Sequence, residues 1–318
     1  LICFAGAKPA VGGCANYVTI CASDGSFKVG DQFGGQLLHI FSVLAFAWDN
    51  GLVPYFSREL LQNAKGASIN YPLFFYRLNQ DLHSDIDKSD LIHIRERCPY
   101  APLGKSEMNK VQYAPYSGRN VCMCLAGVYP FFHHRDRLRN YFSPLRSIKI
   151  YLNQKYKHII EHRKTVAVHV RTFHPALTLP LFLGSEYYKN AMDQFSDDHL
   201  FVVFSDRIEW AKENLEGMKP NMIFIKEENH ILEFYLMTYC LNHIISNSNF
   251  SHLAAFLKIN PSGITFVPEI CHSDGHPKDY EDWFFPGCIA LPVKPLSAPN
   301  WDLLNYPTTS IDEGGRPY

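Results

Sequence analysis

Between residues 165 and 267, short runs of valine, isoleucine and phenylalanine alternate with longer segments of helical period, and no other feature of the chain constrains its fold as tightly. Strands are expected at Thr165 to Val170, Leu200 to Phe204, Met222 to Ile225, His243 to Ser246 and Ile264 to Val267. Helices are expected at Glu186 to Phe195, Arg207 to Leu215, Ile231 to Leu241 and Phe250 to Lys258. Runs this apolar have no face to give to water, so the rhythm predicts an α/β fold built on a doubly wound parallel sheet.

The first half opens in the same way. Tyr17 to Cys21 reads as a strand, a glycine-bearing loop follows, and an apolar helix from about Gln36 to Asp49 ends at Asn50-Gly51. From Asn63 to Asn120 the text is polar, punctuated by proline and rich in tyrosine, which predicts irregular connections with short helices. The change of rhythm sets a boundary near residue 155. The stretch from Pro286 to Tyr318 holds six prolines and no long periodic segment, and reads as a tail that packs on the body or frays.

The length of 318 residues suits two ordinary domains or one large one. Thirty basic against 31 acidic residues leave a formal charge of −1, which gives no electrostatic case for nucleic acid. The richest apolar run, Leu37 to Trp48, is shorter than the roughly 20 residues a bilayer crossing needs, so no integral membrane span is expected. Nine cysteines, an odd number spread thinly, fit a reducing, cytoplasmic setting, peripheral membrane association included. Leu1 to Ala7 is also compatible with the stub of a trimmed signal or anchor.

Ligands of open parallel sheets bind beyond the carboxyl ends of the strands. Three expected strands run straight into polar groups there: His169-Val170-Arg171, Ser205-Asp206, and Ser246 through Asn247, Ser248, Asn249 and Phe250 to Ser251. Arg171 offers a planar, permanently charged fork to a phosphate or carboxylate, or it pairs with a neighbouring acid. His169 alone is better explained as a satisfied core residue, and its shared strand end with Arg171 raises the ligand reading of both. Ser205-Asp206 suits an N-cap. Ser248 to Ser251 suits a cap, and also an anion or nucleotide site at a helix amino terminus. Gly34-Gly35-Gln36 would let backbone approach a ligand closely before an apolar helix. The spacing of Gly30 and Gly35 lacks the lysine and hydroxyl of a Walker-type loop.

Several look-alikes carry less. Asp85-Ile86-Asp87 sits in polar text without a preceding buried strand, and His93 to Arg95 likewise sits in polar text and lacks a strand. Cys271, His272, Asp274 and His276 lack the paired spacing of a structural zinc site, so no metal is expected. Asn249-Phe250-Ser251 is a formal glycosylation sequon inside the ligand rim.

Taken in order, these motifs resemble the alpha-1,2-fucosyltransferases of glycosyltransferase family 11. Gly34-Gly35-Gln36-Leu37 and the following helix are similar to that family's Gly-Asn-Gln loop and helix, and Gly127 to Phe132 with Arg135-Asp136 to its central segment. His169-Val170-Arg171 matches the start of its His-x-Arg-Arg-x-Asp motif. Phe204-Ser205-Asp206 with Glu209 to Lys212, Glu233 to Met237 through Asn247 to Ser251, and Tyr280 to Pro286 resemble later blocks. Gly35 stands at the family's asparagine, Thr172 at its second arginine and His174 at its aspartate.

The resemblance implies a GT-B-like fold of two Rossmann-like lobes. Residues 1–155 would form the acceptor side, 156–285 the donor lobe, and 286–318 the tail. It implies a GDP-fucose donor, an oligosaccharide or glycoconjugate acceptor, no cofactor, and inverting, metal-independent transfer, α-1,2 to galactose. Arg171 would stabilise the leaving diphosphate, with His169 and His174 as further catalytic candidates; a histidine at 174 could take the acceptor proton or have no role. Glu233 would face guanine. Gly34, Gly35, Gln36, Ser205, Asp206, Asn247, Ser248, Phe250 and Ser251 would complete the donor site. The alternatives are a nucleotide- or glycan-binding protein without turnover, and transfer of another GDP-linked sugar such as mannose.

Overall fold

A computed structural model describes residues 17–20, 32–56, 66–78, 91–95, 122–126, 130–172, 182–270 and 284–294. His174, Asp85, Asp87 and the Cys271 to His276 cluster lie outside these residues, as do residues 295–318.

The second half builds the sheet that its rhythm predicts. Strands β5 (Thr165–Val170), β6 (Leu200–Ser205), β7 (Met222–Phe224), β8 (Asn242–Ile244) and β9 (Thr265–Pro268) are joined by β10 (Cys288–Leu291). All six run parallel in the order β10-β9-β8-β5-β6-β7. Counted from β5, this is the 3-2-1-4-5-6 order of a doubly wound dinucleotide-type sheet, with its reversal between β5 and β8. Every residue of β5 is buried. Val166, Val168 and Val170 pack with helices α6 (Gly184–Met192) and α7 (Ile208–Leu215), whereas Ala167 belongs to the core on the opposite face. The period of two thus divides one apolar run between two helical layers.

In the first half a smaller parallel sheet takes the order β2-β1-β4-β3. Its strands are β1 (Tyr17–Ile20), β2 (Val53–Pro54), β3 (Leu91–Arg95) and β4 (Cys122–Ala126). The architecture is therefore α/β with two parallel sheets, as expected. Two expectations need correction. His93 to Arg95 lies in a strand after all, β3, and Pro286 onward contributes the edge strand β10. Polar spacing hid β3, and β10 is largely exposed, so it lacks the continuous apolar signal of a buried strand.

Helix α1 (Phe33–Asn50) lies between the two sheets' layers. It touches β1 on one side and α9 (Asn249–Phe256) on the other, and 13 of its 18 residues are buried. That is why it is apolar nearly all round. It ends where Gly51 takes φ 65° and donates its N–H to the Ala47 carbonyl. Helix α8 (His230–Tyr239) begins with Asn229 accepting the Ile231 N–H at 2.9 Å and packs beside α9. One continuous core joins α1, α8, α9 and the 75–78 segment. No helix among the described residues is long and apolar enough to cross a membrane.

Candidate functional site

The polar residues beyond β5, β6 and β8 gather at the point where strand order reverses. His169, on β5, faces Ser246 beyond β8, with Nδ1 and Oγ 2.9 Å apart. The imidazole is 6% exposed and tilts beside the Phe250 ring at 5.5 Å between centroids. Burial holds its pKa down to about 3, with the Asp206 and Arg171 charges acting in opposite directions, so the ring is neutral at ordinary pH. His169 thus props the crevice floor rather than standing in solvent.

Arg171 occupies the mouth. Its Nη1 donates to Asp206 Oδ2 at 2.8 Å and its Nη2 to Gln32 Oε1 at 3.1 Å. Gln32 is the residue before α1, so this guanidinium spans from the large sheet to the first half's helix. Asp206 also accepts the Thr172 backbone N–H at 3.0 Å and the Thr172 hydroxyl at 3.2 Å. Of the two readings of Arg171, the pairing with a carboxylate is what the structure shows, and that pair fixes its fork at the strand end. The Arg171 and Asp206 side chains are 23% and 22% exposed.

Gly34, in the first turn of α1, serves packing. A Cβ on Gly34 would stand 2.6 Å from the Phe250 backbone nitrogen, so α1 and α9 cross there with their amino termini side by side. Two helix amino termini then point positive partial charge at one rim, the arrangement that favours an anion. Ser248, the residue capping α9, makes no side-chain cap bond, while the Ser251 hydroxyl donates to the Ser248 carbonyl at 3.3 Å.

Three expected donor residues are engaged inside the protein. Gln36 is 1% exposed and its Oε1 accepts from Asn70 Nδ2 at 3.0 Å; Asn70 Oδ1 in turn lies 2.6 Å from His230 Nε2. This buried chain links α1, α2 (Ala67–Leu73) and the start of α8. Ser205 Oγ accepts the Arg207 N–H at 3.0 Å. Asp206 holds Arg171 and Thr172, as above.

Glu233, in the first turn of α8, accepts the Glu227 N–H at 3.1 Å. Burial raises its pKa to about 7, and the Glu227 and Asp206 charges push the same way. Burial also works against ionisation of Glu227, yet Lys155 at 2.7 Å, Tyr156 and Tyr151 hold that carboxyl below its ordinary value. Gln32, Asn70 and His230 take part without having been singled out. Only Gln32, adjoining the glycine pair, carried a positional hint. Among the described residues, the one group of three side chains placed to share a metal ion, Asp49 with His133 and His134, lies at the other end of α1.

A 3-2-1-4-5-6 parallel sheet with charged and hydroxyl groups at its switch point defines the class of Rossmann-like lobes. Residues 88–290, more than half of the chain, match the family described as Glycosyl transferase family 11, and the chain belongs to that family. The alpha-1,2-colitosyltransferase of Escherichia coli is 31% identical over 150 residues, covering 43% of this chain and 51% of the relative. The galactoside alpha-(1,2)-fucosyltransferase 1 of Saimiri boliviensis boliviensis is 28% identical over 251 residues, covering 71% of this chain and 63% of the relative. The chain therefore spans about half to two thirds of these relatives' lengths. The fucosyltransferase NodZ from Bradyrhizobium aligns with a TM-score of 0.46 at 15% identity, over 79% of this chain and 95% of that chain.

Proposed function

We propose that this protein transfers L-fucose from GDP-fucose to a glycan hydroxyl, with inversion and without a metal ion, forming an α-1,2 link to galactose. The observation that carries this reading is the Arg171 guanidinium, fixed by Asp206 at the switch point between two helix amino termini. Family membership and the names of the two relatives support it. As the acceptor oxygen bonds to fucose C1, the bond from C1 to the donor phosphate breaks and negative charge collects on GDP. A preorganised arginine stabilises that charge without rearranging.

The Asp206 carboxylate offsets part of the arginine's charge, and Thr172 brings no second cation. The amino termini of α1 and α9 would add positive potential there. Glu233 would accept the N–H donors of guanine, a task that needs its ionised form. The acceptor hydroxyl gives up its proton to a base as its oxygen bonds to C1. His169 is buried and already partnered, and His174 lies outside the described residues.

The test is a donor-consumption assay with a galactoside acceptor, run in EDTA. Wild type should turn over, and Arg171→Ala should lose about 10²- to 10³-fold in rate, the scale of a lost transition-state donor, with its melting temperature little changed. Unaltered turnover in the variant would remove the mechanism. The departures at Gly35, Thr172 and His174 from the family's pattern favour a second reading, nucleotide binding without turnover. GDP binding by calorimetry with no consumption across an acceptor panel would establish it. GDP-linked fucose, colitose and mannose compared in the same assay identify the sugar.

A further inference from the structure

About 22 Å along α1 from Gly34, taking 1.5 Å per residue, the opposite end of the helix carries a cluster unrelated to the rim. His133 Nε2 lies 2.8 Å from Asp49 Oδ2, and His134 Nε2 lies 2.7 Å from Asp49 Oδ1. All three ligand atoms fall within 4.8 Å of one another. His133 and His134 close a short 3-10 turn, Phe132–His134. Consecutive side chains in such a turn leave the backbone about 120° apart, so adjacency alone does not bring both ring nitrogens to one carboxylate.

We propose that Asp49, His133 and His134 form a three-ligand site for a zinc-like divalent transition metal, separate from the transfer site. Two imidazoles and a carboxylate suit borderline metals rather than calcium or magnesium. Bond lengths of about 2.0–2.2 Å to a tetrahedral ion place ligand atoms about 3.3 Å apart. The two hydrogen bonds run to different oxygens of Asp49, so one imidazole stays near its present place while the other swings toward the ligating oxygen, and ligand atoms now within 4.8 Å of one another settle to that spacing. Each imidazole turns its proton to Nδ1 and presents the Nε2 lone pair. Water takes the fourth position, because the site opens to solvent through His133, 51% exposed.

Local electrostatics favours a cation. Asp49 sits in the last turn of α1, which holds no basic residue, beside the negative end of the helix dipole. Arg137, stacked over Trp48 at 3.9 Å, is the nearby charge that limits affinity. The ion would pin the end of α1 to the turn preceding α3 (Arg135–Tyr141). From that helix Arg135 donates to the Phe256 carbonyl at 2.5 Å and the Lys258 carbonyl at 3.1 Å, at the end of α9. The metal would thus tie together the far ends of the two helices whose near ends flank the rim.

Cobalt(II) titration of the metal-free chain, followed by visible absorption and then by zinc(II) displacement, tests the site. Wild type should bind one cobalt per chain with the intense band of a four-coordinate ion. Asp49→Asn and the double variant His133→Ala/His134→Ala should weaken binding at least tenfold, and Arg171→Ala should keep it. His134→Gln, which preserves bulk and polarity, serves if the double variant fails to fold, with circular dichroism checking each. No binding by wild type at millimolar cobalt would leave a hydrogen-bonded clasp only and overturn the proposal. Binding that survives all these substitutions would place the ion elsewhere and overturn it too.

Discussion

Glu233 shows how far a single residue's chemistry follows from its surroundings. Its carboxyl, raised to about 7 from an ordinary 4.5 by burial and then by Glu227 and Asp206, takes up a proton more readily folded than unfolded. Its contribution to stability is therefore present at low pH and lost as pH rises from about 4.5 to about 7, by roughly 3 kcal/mol. Guanine binding at Glu233, as proposed above, would have the opposite sign, because only the carboxylate accepts both N–H groups. GDP affinity measured by calorimetry should rise about tenfold between about pH 6 and 8, relative to Glu233→Gln, which should bind weakly throughout. A parallel pH profile in the variant would take Glu233 out of the guanine site. At this scale the sequence showed which residues gather but not what each touches. Asp206 and Gln36 read as ligand contacts, yet their partners, Thr172 and Asn70, lie 34 residues away in each case.

Elements were more legible than contacts where burial was complete. Strand β5 matches its expected bounds, because six buried residues leave an unambiguous apolar signal. Helix α1 starts at Phe33, three residues before the expected Gln36. A glycine pair reads as loop, but here the missing Cβ lets the first turn of α1 cross α9 at backbone contact. That contact gives a prediction: Gly34→Ala must push Phe250 aside and should cost about 1–3 kcal/mol, the usual penalty of overpacking. Thermal unfolding checks it, and because the displaced residue stands at the rim, GDP affinity should fall with it. A variant as stable as wild type would show that α1 and α9 do not meet there. The Phe33, Phe234 and Phe250 rings, edge to face at 5.4–6.0 Å, make the same junction stiff.

For the whole molecule, α1 has two roles, covering the small sheet and completing the face of the large one. The polar chain Gln36–Asn70–His230 and the Arg171–Gln32 bond cross the same seam, so the rim is built from both halves of the chain. The doubly wound sheet was legible from the alternation of strands and helices; the strand order was not, because pairing depends on contacts across more than 70 residues, such as Val166 with Asn242. The switch point follows from that order, and with it the place where a nucleotide should lie. A crystal structure of the protein with GDP tests this most directly. The account predicts the diphosphate against Arg171, between the amino termini of α1 and α9, with guanine at Glu233. Diphosphate bound elsewhere, or Arg171 turned from it toward Asp206 alone, would contradict the account.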